Sequence, residues 1–153
     1  MNSKILEELD KKVQESLEND EIPIGAVIFD KKGNIIASAA NNRQKEANIL
    51  GHAEINAILA AEKIIKDWRL NGYSMIVNME PCDMCTAIIK EARIDQVFYF
   101  LNNKSVNNLV LINKKRLENE EYVQLVNKYE VILKEYFKNK RWKPLFLCYN
   151  MTW

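Results

Sequence analysis

One histidine, three cysteines, three prolines and four glycines are all that the 153 residues contain of these types. So little proline and glycine leaves no linker that would split the chain, and it holds no internal repeat or low-complexity tract. No apolar run approaches the ~18 residues needed to span a bilayer, so no membrane segment is expected. The opening Met1-Asn2-Ser3-Lys4-Ile5-Leu6-Glu7-Glu8 lacks the apolar centre of a secretory signal. Three cysteines, two of them in a C-x-x-C pair, argue for a reducing compartment over a disulfide framework. A cytoplasmic protein is therefore expected. The length suits one domain, enough to bury roughly two-thirds of the unfolded surface.

Charge of one sign is also missing, since the net charge is +1. Its distribution is uneven. Residues 1–22 carry three Lys against seven Asp and Glu, whereas residues 128–143 carry five Lys and one Arg against two Glu. A basic stretch near the C-terminus is either a phosphate-contacting face or a solvated helix end favoured by the helix dipole. On the first reading Lys134, Lys138, Lys140 and Arg141 approach phosphates.

The scarcity of histidine and cysteine makes their placement informative. His52-Ala53-Glu54 is followed about thirty residues later by Pro81-Cys82-Asp83-Met84-Cys85. His52, Cys82 and Cys85 supply three ligands for zinc, which normally takes four, so one position stays open for water. Glu54 is a carboxylate placed to move protons to and from that water. On a helix, Cys82 and Cys85 share a face, and a position in the first turn after Pro81 favours the thiolate. His52 and Glu54 are two residues apart and point apart within a helix, so they can share a site only at a helix start. Two helix N-termini converging on one zinc are expected. A closed structural site would need Cys148 as fourth ligand, but Cys148 lies in an apolar run, Pro144 to Tyr149, where a buried cysteine is the usual occupant.

Apolar periodicity predicts helices over 3–18, from His52 to before Asn71-Gly72, over 83–92, and from Leu125 to about Arg141. Strands are expected over 24–29 and 34–40, joined at Asp30-Lys31-Lys32-Gly33, and over 74–79 and 96–101. The weaker stretch that follows reads as a short helix over 106–112 and an edge strand within 117–123. Alternating strands and helices imply a sheet with helices on both faces.

The two motifs together match the H-x-E…P-C-x-x-C signature of the zinc-dependent nucleobase deaminases. The chain resembles the bacterial tRNA adenosine deaminase branch of that cytidine deaminase superfamily. The resemblance runs through Ile22-Pro23-Ile24-Gly25-Ala26-Val27-Ile28, Asn41-Asn42-Arg43, His52 to Ile58, Asp67-Trp68-Arg69-Leu70, Glu80 to Cys85, Ala92-Arg93-Ile94 and Leu133 to Arg141.

It implies a three-layer α/β/α sandwich on a five-stranded mixed sheet, as a single CMP/dCMP-type deaminase domain over 1–153 with 142–153 as a C-terminal extension. It implies one Zn2+ per subunit, held by His52, Cys82 and Cys85, with Glu54 catalytic. Substrate contacts carried over are Asn41, with Asn42 beside it, the backbone near Gly25, Ala26 and Glu80, the pocket walls Pro23 and Ile24, and the motif residues Ala53 and Pro81. The implied reaction is adenosine to inosine at the wobble position of a tRNA anticodon loop, tRNA-Arg in particular, by a homodimer. Apolar residues on several sides of the helix Thr86 to Ile94 fit such pairing.

Departures from the family pattern are Asn48-Ile49-Leu50-Gly51 before the histidine, Asn102-Asn103-Lys104-Ser105-Val106 after the fourth strand, and the tail from Trp142 to Trp153. The Pro-Cys-Asp-Met-Cys run and the tail are also similar to free cytosine deaminases. Deamination of a free nucleobase or nucleoside therefore stands as the alternative.

Overall fold

In the computed structural model, residues 1–140 other than Asn108 are described. Arg141, Cys148 and the tail 142–153 lie outside them. Asn2 opens α1 (Ser3–Glu18), its side chain accepting the Lys4 backbone N–H. Then come β1 (Gly25–Asp30), β2 (Ile35–Ala40), α2 (Ala53–Ile65), β3 (Tyr73–Met79), α3 (Asp83–Glu91), β4 (Gln96–Leu101), β5 (Lys114–Arg116) and α4 (Val123–Lys140). Among the described residues no helix is long and apolar enough to cross a membrane.

The five strands form one mixed sheet in the order β2-β1-β3-β4-β5. β1 is antiparallel to both β2 and β3, while β3, β4 and β5 run parallel. The sheet's apolar runs reflect burial on both faces. Ala26, Ile28, Met75, Val77 and Val97 pack with α2 and α3 residues such as Ala57, Ile58 and Ile89. The alternate positions Val27, Phe29, Ile76 and Phe100 pack with Ile5, Leu9 and Val13 of α1 and Tyr129 and Leu133 of α4. The period of two divides β1, β3 and β4 between two cores, and the expected three layers result.

Topology then decides where a site can form. The carboxyl ends of β2, β3 and β4 and the amino end of β1 all open on one edge of the sheet, because β1 runs against both neighbours. Ligands in open α/β sheets bind beyond such carboxyl ends.

Two expectations need correction. The short helix over 106–112 is absent among the described residues. Asn103 accepts the Ser105 backbone N–H, and Asn107 donates from backbone and side chain to Asp83, so local side-chain bonds take the place of helical ones. The edge strand is Lys114–Arg116, before 117–123, and Glu120–Tyr122 is a single 3-10 turn. A run of Lys-Lys-Arg shows no apolar alternation, yet such charge is what keeps an exposed edge from pairing with another chain.

The basic α4 faces an acidic partner. Lys128 pairs with Asp10, Lys140 with Asp20 at 2.6 Å, and the Tyr129 hydroxyl donates to Asp10 at 2.9 Å. Lys134 pairs with Glu130 on its own helix at 3.1 Å. Part of the charge expected to meet phosphates therefore closes α4 onto α1 and the turn after it.

Gly25 lies under α1 with no room for a side chain: a Cβ would stand 2.8 Å from Lys12 Cβ and 3.0 Å from the Leu9 carbonyl oxygen. We predict that Gly25→Ala forces α1 away from the sheet and lowers unfolding free energy by about 1–3 kcal/mol. Urea denaturation checks this, and an unchanged midpoint would refute it.

Candidate metal centre and substrate pocket

His52 is the N-cap of α2, with extended backbone at φ −78° and ψ 144°, and its side chain makes no capping bond. The ring is thus free to point away from its helix. Gly51 allows the entry by close approach, since a Cβ there would lie 2.7 Å from Asn42 Oδ1 and 2.8 Å from Arg43 Cα. Cys82 is likewise the N-cap of α3, and Cys85 follows one turn on. His52 Nδ1 lies 3.7 Å from Cys82 Sγ and 3.4 Å from Cys85 Sγ. The three ligand atoms all fall within 4.8 Å of one another.

Zinc fits this donor set. Bonds of about 2.0 Å to nitrogen and 2.3 Å to sulfur in a tetrahedron put N and S about 3.6 Å apart, between the two observed spacings. The ionisation of the thiols points the same way. Without a cation, the hydrogen bond from Cys85 holds Cys82 down at about 4. Cys85, which gives that bond and is buried, is pushed far up. The hydrogen bond to Cys82 raises His52. Two adjacent thiolates require a positive charge between them.

Glu54 is the second residue of α2 and is buried beside the cluster. Burial pushes its carboxyl up, in the direction that suits a group exchanging protons near neutrality. A bound dication would act against that shift.

A cavity of about 200 Å³ opens over the cluster. Engineered cavities of about 150 Å³ accept benzene, so one planar ring system has room here. Of the residues expected from sequence, Ile24, Asn41, His52, Ala53, Glu54, Glu80 and Cys82 line it.

Pro23, Gly25, Ala26 and Pro81 are not among its lining residues, and the physical reasons differ. Before β1 the Ile24 N–H closes onto the Ile22 carbonyl at 2.7 Å, a tight turn centred on Pro23 whose two flanking side chains, Ile22 and Ile24, line the cavity. The Gly25 N–H donates to Asn78 Oδ1 at 3.0 Å, and the Pro23 carbonyl accepts from Asn78 Nδ2 at 2.9 Å. Ala26 is consumed by the core with α2 and α3. The Pro81 carbonyl accepts from Thr86. The Glu80 backbone is committed as well, its N–H to Leu101 and its carbonyl to Asn103. Its carboxylate pairs with Lys114 at 2.8 Å. Asn42, the neighbour of Asn41, accepts from the Asn56 amide at 2.8 Å and is not part of the lining.

The cavity also takes in Ile22, Arg43, Met79, Asn103, Ser105 and Phe137, which sequence reasoning did not assign. Ile22 directly precedes the assigned Pro23 and Ile24, and the parallel pairing of β3 and β4 would have pointed to Asn103. Nothing local marks Phe137, because its place depends on how α4 docks across the sheet.

The sequence profile of the cytidine and deoxycytidylate deaminase zinc-binding region matches residues 1–101, which contain the whole His52, Glu54, Cys82 and Cys85 set. The chain belongs to this family. The family's zinc-binding character agrees with the cluster, which fits one zinc per chain. A tRNA-specific adenosine deaminase of Rickettsia felis is 42% identical over 85 residues, covering 55% of this chain and 59% of that protein. One from Bacillus subtilis is 37% identical over 94 residues, covering 61% of this chain and 58% of that protein. The match thus spans about three-fifths of these relatives' length.

Among solved structures, one from work on A-to-I editing by tRNA:A34 deaminases at the wobble position of transfer RNA aligns with a TM-score of 0.69. It is 27% identical and covers 75% of this chain and 98% of that one. A guanine deaminase from Bacillus subtilis, at 24% identity and a TM-score of 0.62, covers 86% and 95% respectively and shares the fold.

We predict that Cys82→Ala loses zinc while Glu54→Ala keeps it, since Glu54 lies beside the ligand set and not in it. Loss of a ligand should weaken binding beyond the ~10–100-fold typical of an outer-sphere change. Metal analysis of the purified variants checks this. Zinc lost from a folded Glu54→Ala protein would contradict the assigned roles.

Proposed function

We propose that the protein is a zinc-dependent hydrolytic deaminase that converts adenosine to inosine at the wobble position of a tRNA. The observation that carries this reading is the buried carboxylate of Glu54, set between a three-ligand metal cluster and a cavity large enough for one base. A fourth protein ligand among the described residues would have argued for a structural site, and the cluster holds three.

Zinc in this site would supply a Lewis acid and a water of pKa lowered toward ~7. Glu54, buried beside the cluster and lining the cavity, is placed to take a proton from the attacking water and deliver it to the ring nitrogen next to the amino-bearing carbon. A C–O bond forms at that carbon and the C–N bond breaks. Glu54, ionised again, then takes the proton of the newly added hydroxyl and passes it to the leaving amine, so water and adenosine become inosine and ammonia. Ile22, Ile24, Met79 and Phe137 keep bulk water from the ring. The base reaches Glu54 only if it is flipped out of its stack, which an anticodon loop permits.

The likeness to tRNA-specific adenosine deaminases and to the tRNA:A34 deaminase structure supports a tRNA substrate, and we propose the anticodon loop of tRNA-Arg as the specific partner. The ion pairs that tie α4 to α1 mean that the basic stretch lends this reading less support than its charge count suggests. Leu59 and Ile64 of α2 are exposed apolar residues, and from the family resemblance we infer a homodimer of single-domain subunits in the cytoplasm.

One observation favours a second reading. Phe137 of α4 reaches the cavity, as an aromatic lid over a free nucleobase or nucleoside would.

The test is incubation with an unmodified tRNA-Arg transcript and a panel of free bases and nucleosides, reading inosine and ammonia. We expect inosine in the tRNA and a loss of at least ~10²–10⁴-fold in Glu54→Ala. Ammonia from free bases alone would establish the second reading. Sedimentation at twice the chain mass checks the dimer, and the mass of one chain would refute it.

A further inference from the structure

We propose that Glu21 is a positioning residue that sets the polarity of the pocket wall, by fixing the Asn41 carboxamide so that it offers the ligand an acceptor only. The inference rests on reading the cavity as the substrate site. Glu21 is fully buried in the turn between α1 and β1, and no ion pair to it lies among the described residues. One carboxylate oxygen accepts the Lys45 backbone N–H at 2.7 Å, and the other accepts Asn41 Nδ2 at 3.4 Å. The second proton of Asn41 Nδ2 goes to the Ile22 carbonyl at 3.3 Å. Both partners are pure acceptors, so they decide which way the amide faces.

Asn41 is held at its backbone too, its N–H lying 3.1 Å from both the Ile24 carbonyl and Ser16 Oγ. With both amide protons engaged, Oδ1 is the only polar atom of the side chain left to a ligand. No described residue donates to it, yet among the described residues no buried side-chain oxygen is without a partner. Among the described residues nothing competes for Oδ1, and Asn41 lines the cavity alongside His52 and Glu54. The wall accepts a ligand hydroxyl or N–H there and rejects a second acceptor.

A carboxylate suits this task and an amide does not. Glu21 presents acceptors at both oxygens, to Lys45 and to Asn41. Glutamine of the same shape would turn a donor toward one of them and would favour a flipped Asn41 that shows the ligand its NH₂ group.

Two measurements decide the matter. The first is independent of turnover. In the wild-type protein the Asn41 side-chain amide protons should exchange with solvent at least about tenfold more slowly than in Glu21→Gln, read by ¹⁵N-resolved NMR. Equal rates in the two proteins would overturn the proposal. The second uses whichever substrate the wild type deaminates. Glu21→Gln should raise KM about tenfold with kcat changed less than about threefold, and zinc content and melting temperature should be kept. In an Asn41→Ala background the same substitution should add nothing. An unchanged KM, or an effect fully additive with Asn41→Ala, would overturn it. If the wild type deaminates nothing, the functional reading falls while the exchange measurement still decides the role of Glu21.

Discussion

An imidazole and two thiols can stay within 4.8 Å of one another only if two chain segments far apart in sequence end at the same point, and the rest of the architecture follows from that demand. His52 and Cys82 are both N-caps, so each helix begins at the site and runs away from it. The caps give up their usual side-chain bonds to do so, a cost that a metal would offset. Left without a cation, the two thiols divide one proton, with Cys82 driven toward the thiolate and Cys85 away from it. A dication removes that conflict, which makes the site's electrostatics a property of the holo state.

The sheet serves the same end. Because β1 runs against both β2 and β3, the segments before β1 and after β2, β3 and β4 gather on one edge. Each brings a wall of the cavity: Ile22 and Ile24, Asn41, Met79 with Glu80, and Asn103. The Lys114–Glu80 ion pair ties the edge strand to that rim, and the ion pairs of α4 with Asp10 and Asp20 bring Phe137 to its mouth. Acidic α1 and basic α4 thus serve assembly before they serve any nucleic acid.

The chemistry was legible in the sequence because metal ligands are few and their spacing is rigid: one histidine and one C-x-x-C pair leave little choice. The long apolar strands were legible because burial on both faces writes continuous hydrophobic runs. β5 was not, since an edge strand of Lys-Lys-Arg carries no apolar signal. Nor was the loop at 103–107, where asparagine side chains compete with the helix that the nearby apolar residues suggest. Resemblance placed Pro23 and Gly25 at the substrate, whereas in the structure the Gly25 N–H and the Pro23 carbonyl are bonded to Asn78 and neither residue lines the cavity. Glu21 gave no local sign of its place, because what it holds is a residue twenty positions on.

The most direct measurement of the central account is X-ray absorption at the zinc edge of the purified protein. The account predicts two sulfur atoms at about 2.3 Å and two lighter atoms near 2.0–2.1 Å, one from His52 and one from outside the protein. Three sulfurs around the metal would mean that Cys148 closes the site, and the proposed open centre would not exist.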